Sequence, residues 1–352
     1  MLNGVLNRVL KRYTGVALVA GAVALAAVAG GGATSSGSTA ASAKVFKVGL
    51  STDEGQLNDH GFNELAYNGL KKAQRVLGVQ GRVVQAASAA DYVPNMATLA
   101  RKGYDLIIGV GFAQGDAIAA VAKQFPNTKF AIVDVSNADL KNKPKNVEGL
   151  IFREQEVGYL VGYLGALAEK RTGGNVISAV GGFKEPPVDR YIAGYVAGAK
   201  KAVPGIKVVW GYSHDWVDLA KCKELALTQI ARGSGVVFQV AGGCGLGALN
   251  AAKEKHVWGI GVDADQSFLG PHVLTSALKG VDTSVFLTVK ALVNGSFHGG
   301  TDAVFGLDRA GVGLGKISPK ASKADAAATR RIAGQLAAGK IKNIPTTVGV
   351  SP

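Results

Sequence analysis

Three carboxylates, an amide and two aromatic rings fall where alternating strands and helices would gather them. Asp53 follows the apolar run Val45–Ser51, Asp134 follows Phe130–Val133, and Asp263 follows Trp258–Val262. The segment from Asp53 to Asn63 adds Phe62 and Asn63 to the first acid, and Trp216 stands in a polar stretch after the run Ile206–Tyr212. Side chains at the carboxyl ends of parallel strands point into the ligand crevice of an open α/β sheet. Carboxylates accept hydrogen bonds from vicinal hydroxyls, and aromatic faces stack on flat heterocycles. A ligand that joins a sugar to a ring base uses both. For any one acid alone, solvation or helix capping is the commoner role. Three together, with two rings in the same class of position, favour a ligand cleft.

Catalytic readings find less support. Gly242-Gly243-Cys244-Gly245-Leu246-Gly247 lies between a strand and a helix, but its spacing is not that of a dinucleotide fingerprint. Gly109-Val110-Gly111 is equally weak, and Gly311–Lys316 lacks both the first glycine and the final Ser or Thr of a phosphate loop. The five histidines, His60, His214, His256, His272 and His298, show no metal-ligand spacing. No nucleophile elbow is present. The residues argue for binding without catalysis, with no cofactor and no metal.

The elements that must position these groups follow from hydrophobic periodicity. Strands are expected at Val45–Ser51, Arg82–Gln85, Leu106–Gly109, Phe130–Val133, Val147–Phe152, Asn175–Val180, Ile206–Tyr212, Val236–Val240, Trp258–Val262 and Val273–Ser276. Helical patterns separate most of them: a stretch opening at Phe62, then Asp116–Gln124, Glu154–Lys170, Asp189–Ala202 and Leu219–Ala231. Asn58 and Asp59 stand where the first of these helices wants a capping acceptor. Such alternation predicts parallel sheets covered by helices. Ten strands exceed one comfortable doubly wound sheet, so two lobes are expected. The first would span 44–150 and return at about 264–299; the second would span 151–263 and return at about 300–352.

Residues 1–43 read as a secretory signal or an N-terminal anchor. Arg8, Lys11 and Arg12 precede an apolar run, Val16–Gly30, and a small-residue stretch ends in Ala41-Ser42-Ala43. No cysteine in this region can carry a lipid. Export makes a disulfide between the two cysteines, Cys222 and Cys244, chemically permissible, and both fall at the carboxyl edge of the second sheet; two buried free thiols are the alternative. The formal net charge is +14, but the cations are scattered, as at Lys141, Lys143 and Lys145. They read as solvated faces near an anionic envelope, not a nucleic-acid stripe.

Several spaced motifs, in order, carry a resemblance. Asp53 with Gly61-Phe62-Asn63, Lys129–Asp134, Phe152–Gly158 with Leu160–Gly162, Gly181-Gly182, Ala241–Gly243, Gly261–Gln266 and Thr275–Lys279 resemble the basic membrane protein family. These are solute-binding components of ABC importers, whose characterised members bind purine nucleosides. The resemblance implies a type I periplasmic-binding-protein fold, two Rossmann-like α/β lobes joined by a hinge of three crossovers. It implies a monomer that hands its ligand to an ABC permease in the membrane. Phe62 and Trp216 would stack on a purine, and Asp263 would take ribose hydroxyls with Lys279 nearby. Asp53, Asn63, Asp134 and Gly243 would complete the site. Gly61 stands where the family has serine, and Trp216 where it usually has Phe. A sugar or autoinducer-like polyol on the same fold, or a nucleotide-cofactor enzyme, are the alternative readings.

Overall fold

A computed structural model describes residues 44–352. The reading of residues 1–43 as a signal or anchor lies outside the described residues. Among the described residues no helix is long and apolar enough to cross a membrane.

Apolar runs buried on both faces form parallel strands, because helices cover each side and no polar alternation is needed. In β1 (Lys47–Thr52), β3 (Leu106–Val110) and β4 (Lys129–Val133) every residue is buried except the opening lysines. With β2 (Gln80–Gln85), β5 (Val147–Phe152) and β11 (Asp302–Phe305) they form one sheet in the order β2-β1-β3-β4-β5-β11, parallel throughout. A second sheet repeats that order with β6 (Val176–Gly181), β7 (Lys207–Tyr212), β8 (Val236–Val240), β9 (Trp258–Asp263) and β10 (Val273–Lys279). Its order is β7-β6-β8-β9-β10-β12, and β12 (Val312–Leu314) alone runs antiparallel. In each sheet the chain order reverses beside the first strand, the topological switch point where ligands bind outside the carboxyl ends.

Ile107, Phe130 and Ile132 pack against Met96, Leu99 and Ile118 of the helices on one face of the first sheet. On its other face α1 (Phe62–Leu77) packs against a late helix, Val281–Val293. In the second lobe the helices Glu154–Arg171 and Pro186–Ala202 lie in near-backbone contact. A Cβ at Gly162 or Gly198 would run into the carbonyl of Tyr195 or Tyr159 on the partner helix. That approach seats Tyr191 beneath the cleft.

Two boundaries differ from the sequence expectation. The chain does not return to the first lobe after Asp263: β10 pairs with β9, so the return falls at Gly280. The second crossing follows Phe305, not Gly299–Thr301, because β11 adds to the first sheet beside β5. An apolar run shows that a strand exists and not which neighbour it pairs with. Strands β11 and β12 have 4 and 3 residues and carry too short a pattern to read.

Both lobes also share a backbone feature. Asp134, after β4, and Asp263, ending β9, have φ of 75° and 62°. These are the fourth strands of their respective sheets, and few residues other than glycine tolerate that left-handed conformation.

Candidate ligand cleft

The first lobe supplies one wall. Asp53 leaves β1 into a turn, and its Oδ1 accepts from the Gly55 amide at 3.0 Å and from Asn63 Nδ2 at 2.8 Å. Burial pushes this carboxyl up to about 6, against the pull of those hydrogen bonds. Asn63 is 2 % exposed, and with its Nδ2 committed to Asp53 its Oδ1 has no partner. Asp59 takes the capping role, accepting from the amides of Gly61, Asn63 and Glu64 at 2.9–3.2 Å. It satisfies the orphan donors of α1 and presents Phe62, that helix's first residue, at the crevice. Gly111, with φ of 115°, leaves the space that Asp53 fills.

The second lobe supplies the other. Trp216 lies in the loop after β7; its carbonyl accepts from the Cys244 amide at 2.9 Å, and its ring packs where a Cβ on Gly182 would stand. Phe183 supports that ring, with centroids 5.4 Å apart. A disulfide joins Cys222 to Cys244 with Cα atoms 5.6 Å apart, tying the helix Leu219–Ala231 to the glycine-rich loop that carries Gly243. Asp263 is 8 % exposed and accepts from the Tyr191 hydroxyl at 3.3 Å. Burial pushes its carboxyl up to about 7, a rise that Lys279 only partly offsets.

Lys279 ends β10 beside the crossover and is itself 3 % exposed. Its Nζ lies 2.7 and 2.8 Å from the two oxygens of Asp134 and 3.0 Å from Glu154 Oε1, whose second oxygen holds Arg190 at 2.7 Å. Burial opposes its charge, but Asp134, Glu154 and Asp263 outweigh that and hold the ammonium at about 12. The same Nζ stands 5.2 Å from the Phe62 ring centre. Lys279 is therefore the electrostatic pin between the lobes at the hinge as well as a wall of the cleft. At another point of contact, Gln266 Nε2 donates to the His60 carbonyl at 3.2 Å across the lobes.

Asp53, Phe62, Asn63, Asp134, Trp216, Gly243, Asp263 and Lys279 all line one cavity of about 610 Å³, its open mouth included. Sequence reasoning missed Tyr191, Glu185 and Glu154. Tyr191 lies inside a helix and carried no signal. Glu185 follows the Gly181-Gly182 strand end and opens a helix with Pro186, a signal that could have been read. Five acids and one lysine line the cavity, although the chain as a whole is cationic. Among the described residues no group of three or more His, Cys, Asp or Glu could hold a metal ion.

Comparisons with known proteins bear on the family and the fold. Residues 46–345 match a family described as ABC transporter substrate-binding protein PnrA-like, Bmp. The ABC transporter nucleoside-binding protein BmpA of Lactococcus lactis subsp. cremoris is 36 % identical over 333 residues, 87 % of this chain and 93 % of that one. The crystal structure of an ABC transporter system solute-binding protein from Aeropyrum pernix K1 superposes with a TM-score of 0.77 at 28 % identity, covering 85 % of this chain and 94 % of that one. GanP, a glucose-galactose binding protein from Geobacillus stearothermophilus, shares the fold at 17 % identity and a TM-score of 0.59, covering 79 % and 99 %.

Proposed function

The chain belongs to the PnrA-like (Bmp) family of ABC transporter substrate-binding proteins, and from that premise we propose that its cleft closes on a nucleoside, specifically a purine nucleoside. Membership makes it an extracytoplasmic, non-catalytic solute-binding component of an ABC importer, with two lobes of the periplasmic-binding-protein fold. Its partner is the importer's permease. The ligand is the part that rests on the site.

The observation that carries the reading is the pairing of ring and carboxylate on facing walls. Phe62 enters from the first lobe and Trp216 from the second, and Asp263 stands among them at a strand end. Two aromatic faces suit a flat base; a buried carboxylate suits the vicinal hydroxyls of a ribose. The lining carries five acids against one lysine already paired to two carboxylates. Such a wall repels phosphate, so the free nucleoside fits and the nucleotide does not. The name of the Lactococcus lactis relative supports the same ligand class. Closure is a hinge motion about the crossovers, with the ligand bridging the two walls.

Intrinsic tryptophan fluorescence titration tests this, because Trp216 lines the cleft. Inosine, guanosine and adenosine are expected to change the signal saturably, while ribose and AMP are not. A response to ribose or galactose with none to any nucleoside would overturn the reading in favour of a sugar.

A further inference from the structure

Glu185 has no place in the reading so far, yet it lines the cleft opposite the Asp53 turn. It precedes the helix Pro186–Ala202 and follows β6 by four residues, so the first strand of each lobe delivers one acid to the same gap. Burial, with Asp134 and Asp53 adding their repulsion, pushes its carboxyl up to about 7, and no hydrogen-bond donor among the described residues relieves it. Burial and the charges of Asp53, Glu54 and Glu185 also push the Tyr92 phenol up.

In their ionised forms Glu185 and Asp53 turn acceptors into the cleft from its two walls. Asp53 keeps Oδ2 free of any donor, since Gly55 and Asn63 both use Oδ1. Asn63 presents an unpartnered, deeply buried Oδ1. Lys279, the one cation of the lining, is committed to Asp134 and Glu154. A ring carbonyl set against the ionised carboxylates would face oxygen with oxygen, whereas an amino group carries two donors.

We propose that Glu185, together with Asp53 and Asn63, is a specificity-determining residue that grips an exocyclic amino group on the ligand's base, so that the protein selects amino-bearing purine nucleosides over analogues lacking that group. The proposal rests on the nucleoside reading and names the subset of nucleosides within it. A site built to accept from an N–H leaves buried acceptors unpaired when the donor is missing, which penalises the analogue.

Calorimetric titration of the wild-type protein, Glu185→Ala and Glu185→Gln with two matched pairs decides it: guanosine against inosine, and adenosine against purine riboside. The wild type is expected to prefer the amino-bearing member of at least one pair by about tenfold or more. Glu185→Ala is expected to bring that preference below about threefold, and Glu185→Gln, which keeps one acceptor and the side-chain volume, to retain part of it. No preference in either pair, or a loss in both variants that falls equally on both members of a pair, overturns the proposal while leaving nucleoside binding intact. Absence of binding to all four compounds by the wild type would instead remove the nucleoside reading itself.

Discussion

Replacing Lys279 by methionine separates a hinge pin from a ligand contact. The ammonium is 3 % exposed and lies within 3.0 Å of three carboxylate oxygens, on Asp134 of the first lobe and Glu154 at the first crossover. Methionine fills similar volume but leaves two buried carboxylates with reduced compensation. Breaking a buried pair by removing one partner costs about 3–5 kcal/mol. Arg190 still holds Glu154, and Asp134 can take a proton, so the lower end, about 3 kcal/mol, is expected. At about 2–4 °C per kcal/mol for chains of a few hundred residues, and less for a longer one, that lowers Tm by about 5–10 °C. Because a protonated Asp134 needs no counter-charge, the deficit should shrink from pH 8 to pH 5. The double variant Lys279→Met, Asp134→Leu removes both charges and should recover at least half of the loss. Thermal unfolding of the ligand-free variants, followed by circular dichroism, reads all of this. If Lys279→Met melts within about 1 °C of wild type while nucleoside affinity drops tenfold or more, Lys279 is a ligand group and the hinge argument fails.

Other expectations follow from the same geometry. Asp53, Glu185 and Asp263 are held at about 6, 7 and 7, above their unfolded values, so the fold favours their protonated forms. Their contribution to stability is present below the unfolded values and lost as pH rises through 6–7; ligand-free Tm should therefore fall from pH 5 to pH 8, with Asp263→Asn flattening the slope. Affinity should move the other way over that window, since ionised carboxylates are the better acceptors; a Tm that rises with pH in both proteins refutes the assignment. Reducing the Cys222–Cys244 bridge, which closes a separation of 22 residues, should cost about 3 kcal/mol, seen as a lower denaturant midpoint with reductant than without; coincident curves would argue against it. Phe62→Ala should weaken nucleoside binding by about 1–3 kcal/mol, roughly 5- to 150-fold, and an unchanged titration would remove its stacking role.

The chemistry of the cleft was legible because it sits at strand ends, and strand ends are visible wherever an apolar run stops at an acid. Asp53, Asp134 and Asp263 were found that way. Asn58 and Asp59 are both legible as caps, and Asp59, three residues before Phe62, is the one that accepts the helix amides. Tertiary pairing was not legible. Ala277–Lys279 continue a strand whose neighbour is β9, and nothing in their own pattern says so. The crossover expected after Asp263 therefore falls one strand too early. For the same reason the family resemblance implies a place for Lys279 beside the ligand, but nothing in the sequence shows its clasp by Asp134 and Glu154. Glu154 reads as an acid in a helix's first turn, an ordinary position with an electrostatic rationale of its own. Only the packing of that helix across the hinge turns it inward. Tyr191 reaches Asp263 through a helix–helix approach permitted by glycines on both helices, a relation between distant positions that single-sequence periodicity does not record.

Asp134 and Asp263 occupy corresponding stations of two sheets with the same strand order, each held at positive φ at the end of a fourth strand. The two positions carry different partners. Asp134 is bound to the lysine that governs how the halves swing, and under the proposed function Asp263 meets the cargo. Because Lys279 senses both carboxylates, a change at either aspartate is felt at the other.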